Sequence, residues 1–270
     1  MIVECIGLPG SGKSYLFRSV EEELTRRGVP CVNAGDRSMN SPLWKAGKKV
    51  LHRTIFLSRE ARESRDRMRK ILAEAGLSDK PGRTGRTRQE SRAGRAEPDR
   101  RAFPLRSRYG INTDERFTVE SAAIFAAVYR RMARSRKVYL FDEGLVHTIV
   151  KFCAEFHLPD KVFTELLAAC GTFRGDSRIV VYNEISLADC IESIRKRDRH
   201  ICAFDELSGD RLRELLEQYV RLNACYAARE PVLTVLRTEE ERDKRGRICE
   251  EILRRRKQGR GGKREEERPA

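Results

Sequence analysis

Residues 7 to 14 read GLPGSGKS, and this octapeptide governs the reading of the whole 270-residue chain. Gly7, Gly12, Lys13 and Ser14 satisfy the spacing GxxxxGK(S/T), with Gly10 and Ser11 inside it. At average residue frequencies such a match arises by chance in about 1% of chains this long. The chemistry explains the spacing. Glycines let successive backbone N–H groups turn toward one centre, the lysine supplies a cation, and a hydroxyl residue opens the helix that follows. The product is a cradle for phosphate. The flanks agree with it: IVECIG, just before, is a short apolar run that predicts a buried strand. SYLFRSVEEELTRRG, just after, predicts a helix packed through Tyr15, Leu16, Val20 and Leu24 and stopped by Gly28.

Outward from this point, strands alternate with helices. Residues 29–32 predict a second strand, and 44–76 mostly helix, packed through Ile55, Phe56, Leu57, Met68, Ile71 and Leu72. PGRTGRTRQESRAGRAEPDRR then has no apolar residue larger than alanine, so it cannot offset the entropy of ordering and is expected to be disordered. Thr118 is placed to cap a helix through SAAIFAAVYRRMARS, and KVYLF, residues 137–141, predicts a third strand. Helices are expected over 145–156 and 161–170, followed by a fourth strand in RIVVYN. Ser186 and Asp189 imitate a capping box for a helix to Lys196. A helix over 210–228, a fifth strand over 232–236 and a charged, fraying helix from Glu239 complete the chain. The alternation predicts an α/β protein with a five-stranded parallel sheet covered by helices on both faces.

Charge is unevenly spread. The formal net charge is +15, from 56 basic and 41 acidic residues. Residues 80–116 hold 11 basic and 5 acidic residues, and 237–270 hold 13 and 9, so two segments carry most of the imbalance and offer surfaces for nucleic acid. No apolar run approaches the roughly 18 to 20 residues of a membrane span, and MIVECIGLPG lacks the basic n-region of a secretory leader. A soluble, cytoplasmic protein that keeps its N-terminus is expected. The eight cysteines show no CxxC and read as buried, reduced thiols. The histidines show no zinc-binding spacing; Cys153 and His157, at i and i+4, read as packing.

Two further motifs bear on chemistry. VYLFDEG places Asp142 and Glu143 at the carboxyl end of the third strand, the edge at which open parallel sheets bind ligands. IRKRDRH gives Arg195, Arg197 and Arg199 at the end of the helix after strand four. These arginines stabilise a transferring phosphoryl group if a loop folds over the nucleotide, and otherwise form a solvated basic helix end.

Phosphate loop, DE-terminated third strand, Arg-rich lid, the helix LRELLEQYVRLN and a final strand, in that order, resemble the P-loop nucleoside and nucleotide kinase superfamily, thymidylate and deoxynucleoside kinases in particular. The resemblance implies the P-loop NTPase three-layer fold, with ATP and Mg²⁺ as cofactors and a small-molecule acceptor as partner. It implies a Walker A cradle of Gly7, Gly10, Ser11, Gly12, Lys13 and Ser14, a metal site at Ser14 and Asp142, and catalytic roles for Lys13, Asp142, Glu143, Arg195, Arg197 and Arg199. Residues 1–79 then hold the P-loop and acceptor-side helices, 80–116 a basic disordered insertion, 117–255 the rest of the core with the lid, and 256–270 a disordered basic tail. One departure stands out: those families follow the carboxylate of strand three with arginine, whereas this chain has Glu143.

Three functions fit these residues: phosphotransfer from ATP to a small acceptor, ATP hydrolysis with Glu143 activating water, and nucleic-acid association on a P-loop scaffold, including a polynucleotide 5′-hydroxyl kinase. Sheet order separates the first two. Strand three directly beside strand one favours the kinases, and an intervening strand favours the motor ATPases.

Overall fold

The protein is described here by a computed structural model covering residues 1–34, 58–77, 115–171, 177–196 and 206–265. Five strands, β1 (Ile2–Ile6), β2 (Cys31–Asn33), β3 (Val138–Phe141), β4 (Arg178–Glu184) and β5 (Leu233–Leu236), form one sheet in the order β2-β3-β1-β4-β5. Every pairing is parallel, and β1 is central, with Val3 opposite Leu140 on one side and Ile179 on the other. A central parallel strand is buried on both faces, which is why IVECI reads as a continuous apolar run and not as an alternation.

The helices are α1 (Lys13–Arg26), α2 (Arg59–Glu74), α3 (Glu115–Ala133), α4 (Leu145–Glu155), α5 (Asp160–Ala169), α6 (Leu187–Lys196), α7 (Gly209–Ala227) and α8 (Glu241–Glu265). They make two cores, one on each sheet face. Val3 and Cys5 of β1 meet Phe17, Val20 and Leu24 of α1 and Ile248 and Ile252 of α8. Ile2 and Ile6 face the larger core, which is filled from α2 through α7. The period of two along β1 therefore assigns its residues to the two cores. This is the expected α/β architecture of a five-stranded parallel sheet between helical layers. Among the described residues no helix is long and apolar enough to cross a membrane.

The elements differ from the sequence reading at particular places. Tyr15 is 66% exposed, and the buried stripe of α1 instead runs through Leu16, Phe17, Val20 and Leu24, the spacing of one helical face. Thr118 does not cap its helix, because α3 starts upstream at Glu115, inside the interval assigned to the insertion; Thr118 is buried in the helix beside Val119 and Ala122. Packing here overrides a local capping preference. Helix α8 runs to Glu265, so much of the segment expected as a disordered tail is helical. His157 lies beyond the end of α4 at φ 52°, in the left-handed turn that ends the helix, and faces Glu214 at 3.7 Å, so it does not share a helix face with Cys153. The Ser186 cap is formed: its Oγ accepts the Asp189 N–H at 3.1 Å and donates to Asp189 Oδ2 at 2.6 Å. The expected packing residues Ile55, Phe56 and Leu57, and residues 80–114 of the insertion, lie outside the described residues.

Candidate functional site

Because the sheet is all parallel, the carboxyl ends of β1, β3, β4 and β5 open on one edge, and each delivers something to it. From β1 comes the loop of residues 7–12. Gly7 sits at φ 135°, and a Cβ there would lie 2.5 Å from the backbone oxygen of Asn183, so glycine is required both by conformation and by the approach of β4. Gly12, at φ 88°, is the N-cap of α1 and brings no capping side chain. The helix therefore starts with open N–H groups aimed at whatever occupies the loop.

The loop's carbonyls are taken up. Lys13 Nζ donates to Gly7 O at 3.2 Å and Leu8 O at 2.9 Å, and Cys190 Sγ donates to Pro9 O at 2.9 Å. Ser11 O accepts from Asn183 Nδ2 at 2.8 Å and from Arg237 at 3.3 Å, while Gly12 O accepts the Leu16 N–H. With these acceptors engaged, the loop's remaining N–H groups are donors for an anion; the Ser11 N–H is the exception, bonded to Leu8 O at 3.2 Å. Ser11 is 1% exposed and its hydroxyl has no hydrogen-bond partner, an orphaned group that a phosphate oxygen would satisfy. Lys13 is buried too. Burial pushes its ammonium pKa down, and the charges of Cys5, Glu143 and Asp142 pull it back up.

From β3 come Asp142 and Glu143. Ser14 Oγ donates to Asp142 Oδ2 at 2.5 Å, which brings the two expected metal ligands together. Both are oxygen donors of the kind Mg²⁺ prefers, so the residues fit that ion. Glu143, whose side chain is 70% exposed, lies with Oε1 3.7 Å from Nε2 of His147, on the first turn of α4. His147 is buried and rests against the Tyr219 ring, centroid to centroid 6.2 Å. Its pKa falls well below the usual imidazole value through burial, then through the charges of Lys13 and Lys151.

The turn carrying Asp142 and Glu143 is held from beneath by a buried carboxylate in the middle of β1. Glu4 is fully buried; its Oε2 accepts from Tyr129 Oη at 2.9 Å and from the Val146 N–H at 3.3 Å, and its Oε1 pairs with Arg178. Tyr129 Oη in turn accepts the Leu145 N–H at 3.2 Å. Together Glu4 and Tyr129 cap α4, whose own N-cap, Gly144, has no side chain to do so. A Cβ on Gly144 would run into both of them.

The structure thus brings together Gly7, Gly10, Ser11, Gly12, Lys13, Ser14, Asp142 and Glu143. Arg195 is exposed at the end of α6, its guanidinium against Gly209 at the start of α7. Arg197 and Arg199 fall outside the described residues. Sequence reading missed Glu4, His147, Asn183 and Arg237. The signal for Glu4 was present, a lone carboxylate in an otherwise apolar strand. For His147 the signal was its i,i+4 spacing from Glu143; for Arg237 there was none, because its partner Ser11 is remote in sequence.

No protein-family model and no curated protein matches the sequence. Among solved structures, the chain is similar to deoxyadenosine kinase from M. mycoides with bound dATP, at 10% identity and TM-score 0.47, over 94% of this chain and 100% of that one. The same kinase with dCMP and dCDP bound is similar at 11% identity and TM-score 0.47, over 94% and 99% of the two chains. With bound dCTP the figures are 10% identity and TM-score 0.45, over 94% and 99%. The GLPGSGKS turn between β1 and α1, seated at the carboxyl edge of a parallel sheet ordered β2-β3-β1-β4-β5, makes this a P-loop NTPase fold.

Proposed function

We propose that the chain is an ATP-dependent phosphotransferase that moves the γ-phosphoryl group of ATP to a small hydroxyl or phosphate acceptor. The observation that carries this reading is the sheet order: β3, ending in Asp142 and Glu143, lies directly beside β1, with no strand between them. The two carboxylates therefore adjoin the phosphate loop, where an acceptor can reach the terminal phosphoryl group in line.

The roles follow from the geometry. Lys13, now folded back on Gly7 O and Leu8 O, has only to exchange those carbonyls for β and γ phosphate oxygens. The Ser11 hydroxyl and the open end of α1 supply neutral donors. Ser14 and Asp142 would hold Mg²⁺, and their hydrogen bond favours this role for Asp142 over proton acceptance. Bound there, the ion would supply Lewis-acid neutralisation of phosphate charge. Among the described residues no group of three or more His, Cys, Asp and Glu could hold a metal, so an ion at Ser14 would draw its other ligands from phosphate and water. Arg195, with Arg197 and Arg199, remains the proposed lid.

The test compares Lys13→Ala, Asp142→Asn and Glu143→Gln for ADP release in the presence of nucleosides, nucleotides, sugars and a 5′-hydroxyl oligonucleotide. The oligonucleotide is included because the basic segments 80–116 and 256–270 suit a nucleic-acid acceptor. A kinase shows acceptor-stimulated ADP release that Lys13→Ala and Asp142→Asn each reduce on the order of 100-fold or more. A water-activating ATPase shows no acceptor effect, and its Glu143→Gln variant retains ATP without hydrolysing it.

A further inference from the structure

We propose that Glu4 and Tyr129 are positioning residues for Asp142: they grip the chain on both sides of it and fix its carboxylate against Ser14 for Mg²⁺. The inference rests on the Mg²⁺ role given to Ser14 and Asp142 in the phosphotransfer reading and adds what sets their separation.

Asp142 stands in the short connection between Phe141, which ends β3, and Leu145, which opens α4. Its partner Ser14 is on α1, so the 2.5 Å contact depends on where that connection is held. Glu4 and Tyr129 hold both of its ends. On the strand side, Glu4 is the register partner of Phe141 across the pair of β1 and β3, and the Tyr129 ring packs on the Phe141 ring with centroids 5.0 Å apart. On the helix side, Tyr129 Oη accepts the Leu145 N–H at 3.2 Å and Glu4 Oε2 accepts the Val146 N–H at 3.3 Å. The Tyr129 hydroxyl joins the two by donating to Glu4 Oε2 at 2.9 Å, and Arg178 of β4 anchors Glu4. Phe125, one turn before Tyr129 on α3, sets its ring edge-to-face with both Tyr129 and Phe141, at 5.9 and 6.0 Å.

A helix cap alone would require only the contacts to Leu145 and Val146. Here the same two side chains also fix the strand end, so residues 142–144 are clamped from both sides. Gly144 completes the clamp: a Cβ there would run into Glu4 and Tyr129, so the connection lies directly on them. Both side chains are fully buried in a close-packed interior, which makes the support rigid. Burial and the charge of Glu4 raise the Tyr129 pKa well above 10, so the hydroxyl keeps the proton it donates. A side chain that must meet an ion at one distance loses affinity for it when its support loosens, typically about 10- to 100-fold.

The experiment titrates the full chain with the non-hydrolysable analogue adenylyl imidodiphosphate by calorimetry, in Mg²⁺ and in EDTA. The readout is the gain in affinity that Mg²⁺ brings, which needs neither turnover nor an acceptor. Tyr129→Phe keeps the ring on Phe141 and removes the hydroxyl; it should lower the gain about tenfold, with affinity in EDTA changed less than about twofold. Asp142→Asn should abolish the gain. Ile252→Ala, in the core on the opposite face of the sheet, should lower the melting temperature and leave the gain unchanged, which separates positioning from loss of stability. Phe125→Leu, at a half-buried position, withdraws a ring and no side-chain hydrogen bond, and should lower the gain about two- to threefold. It carries the test if Tyr129→Phe does not fold. A wild-type gain in Tyr129→Phe, or in Phe125→Leu in its place, while Asp142→Asn loses it, would overturn the inference and leave the metal assignment standing. A full gain in Asp142→Asn would overturn the metal assignment and the inference with it. The phosphotransfer reading is decided separately, by acceptor-stimulated ADP release.

Discussion

Ser14 Oγ and Asp142 Oδ2 lie 2.5 Å apart although 128 residues separate them in the chain. One opens α1 and the other ends β3, and the contact exists only because β3 is the immediate neighbour of β1. Removing either oxygen should leave the loop able to hold phosphate while the metal-dependent component is lost. Ser14→Ala is expected to reduce Mg²⁺-stimulated turnover on the order of 100-fold, with nucleotide binding in EDTA little changed. Calorimetric titration with and without Mg²⁺ checks this, and equal loss of binding under both conditions would count against the assignment.

The glycines of this chain should not be equivalent. Gly7→Ala combines a φ of 135° with a Cβ 2.5 Å from the Asn183 backbone, so it should cost more than about 2 kcal/mol and disable nucleotide binding. Gly28 has φ 68° with open space around it, so Gly28→Ala should cost only about 1 kcal/mol and leave nucleotide binding intact. Urea unfolding of both variants decides the matter; similar losses would show that backbone strain alone matters at Gly7.

Glu4 is the stability counterpart of the site. Glu4→Gln leaves Arg178 buried against a neutral amide and weakens the cap on α4, so a loss of roughly 3 kcal/mol is expected. Glu4→Ala should be worse, since the Val146 N–H then loses its acceptor. Melting temperatures of both variants provide the check, and a thermally unchanged Glu4→Ala would remove Glu4 from this role.

Glu155, at the end of α4, gives a pH dependence of known sign. Burial raises its carboxyl from 4.5 to about 7, with Lys151 acting the other way. A group whose pKa is raised by folding contributes its full stability below the unfolded value and loses it as pH rises through the folded one. Stability should therefore fall between about pH 4.5 and about pH 7, by up to roughly 3 kcal/mol. His147, whose pKa is lowered, works in the opposite direction below its ordinary titration range. The comparison of wild type with Glu155→Gln isolates the glutamate, since the His147 contribution is common to both: the unfolding free energy of wild type relative to the variant should fall between about pH 5 and about pH 8. Parallel profiles would mean that Glu155 titrates normally.

By itself the sequence determined the local chemistry. GLPGSGKS specifies a phosphate loop because glycine conformation, a lysine and a hydroxyl act within eight consecutive residues. The three inner strands, β1, β3 and β4, were legible because burial on both faces of a parallel sheet leaves a mostly apolar run. Tertiary structure decided everything that depends on which segments become neighbours. Sheet order puts Asp142 on Ser14, the twist of α1 buries Phe17 and exposes Tyr15, and the cap of α4 is supplied from β1 and α3 by Glu4 and Tyr129. His147 against Tyr219 and Arg237 on the Ser11 carbonyl gain their meaning in the same way, from partners set by packing and not by spacing. Sequence spacing encodes contacts within a turn of helix or a pleat of strand; contacts across the sheet are fixed only when apolar burial selects one arrangement of the elements.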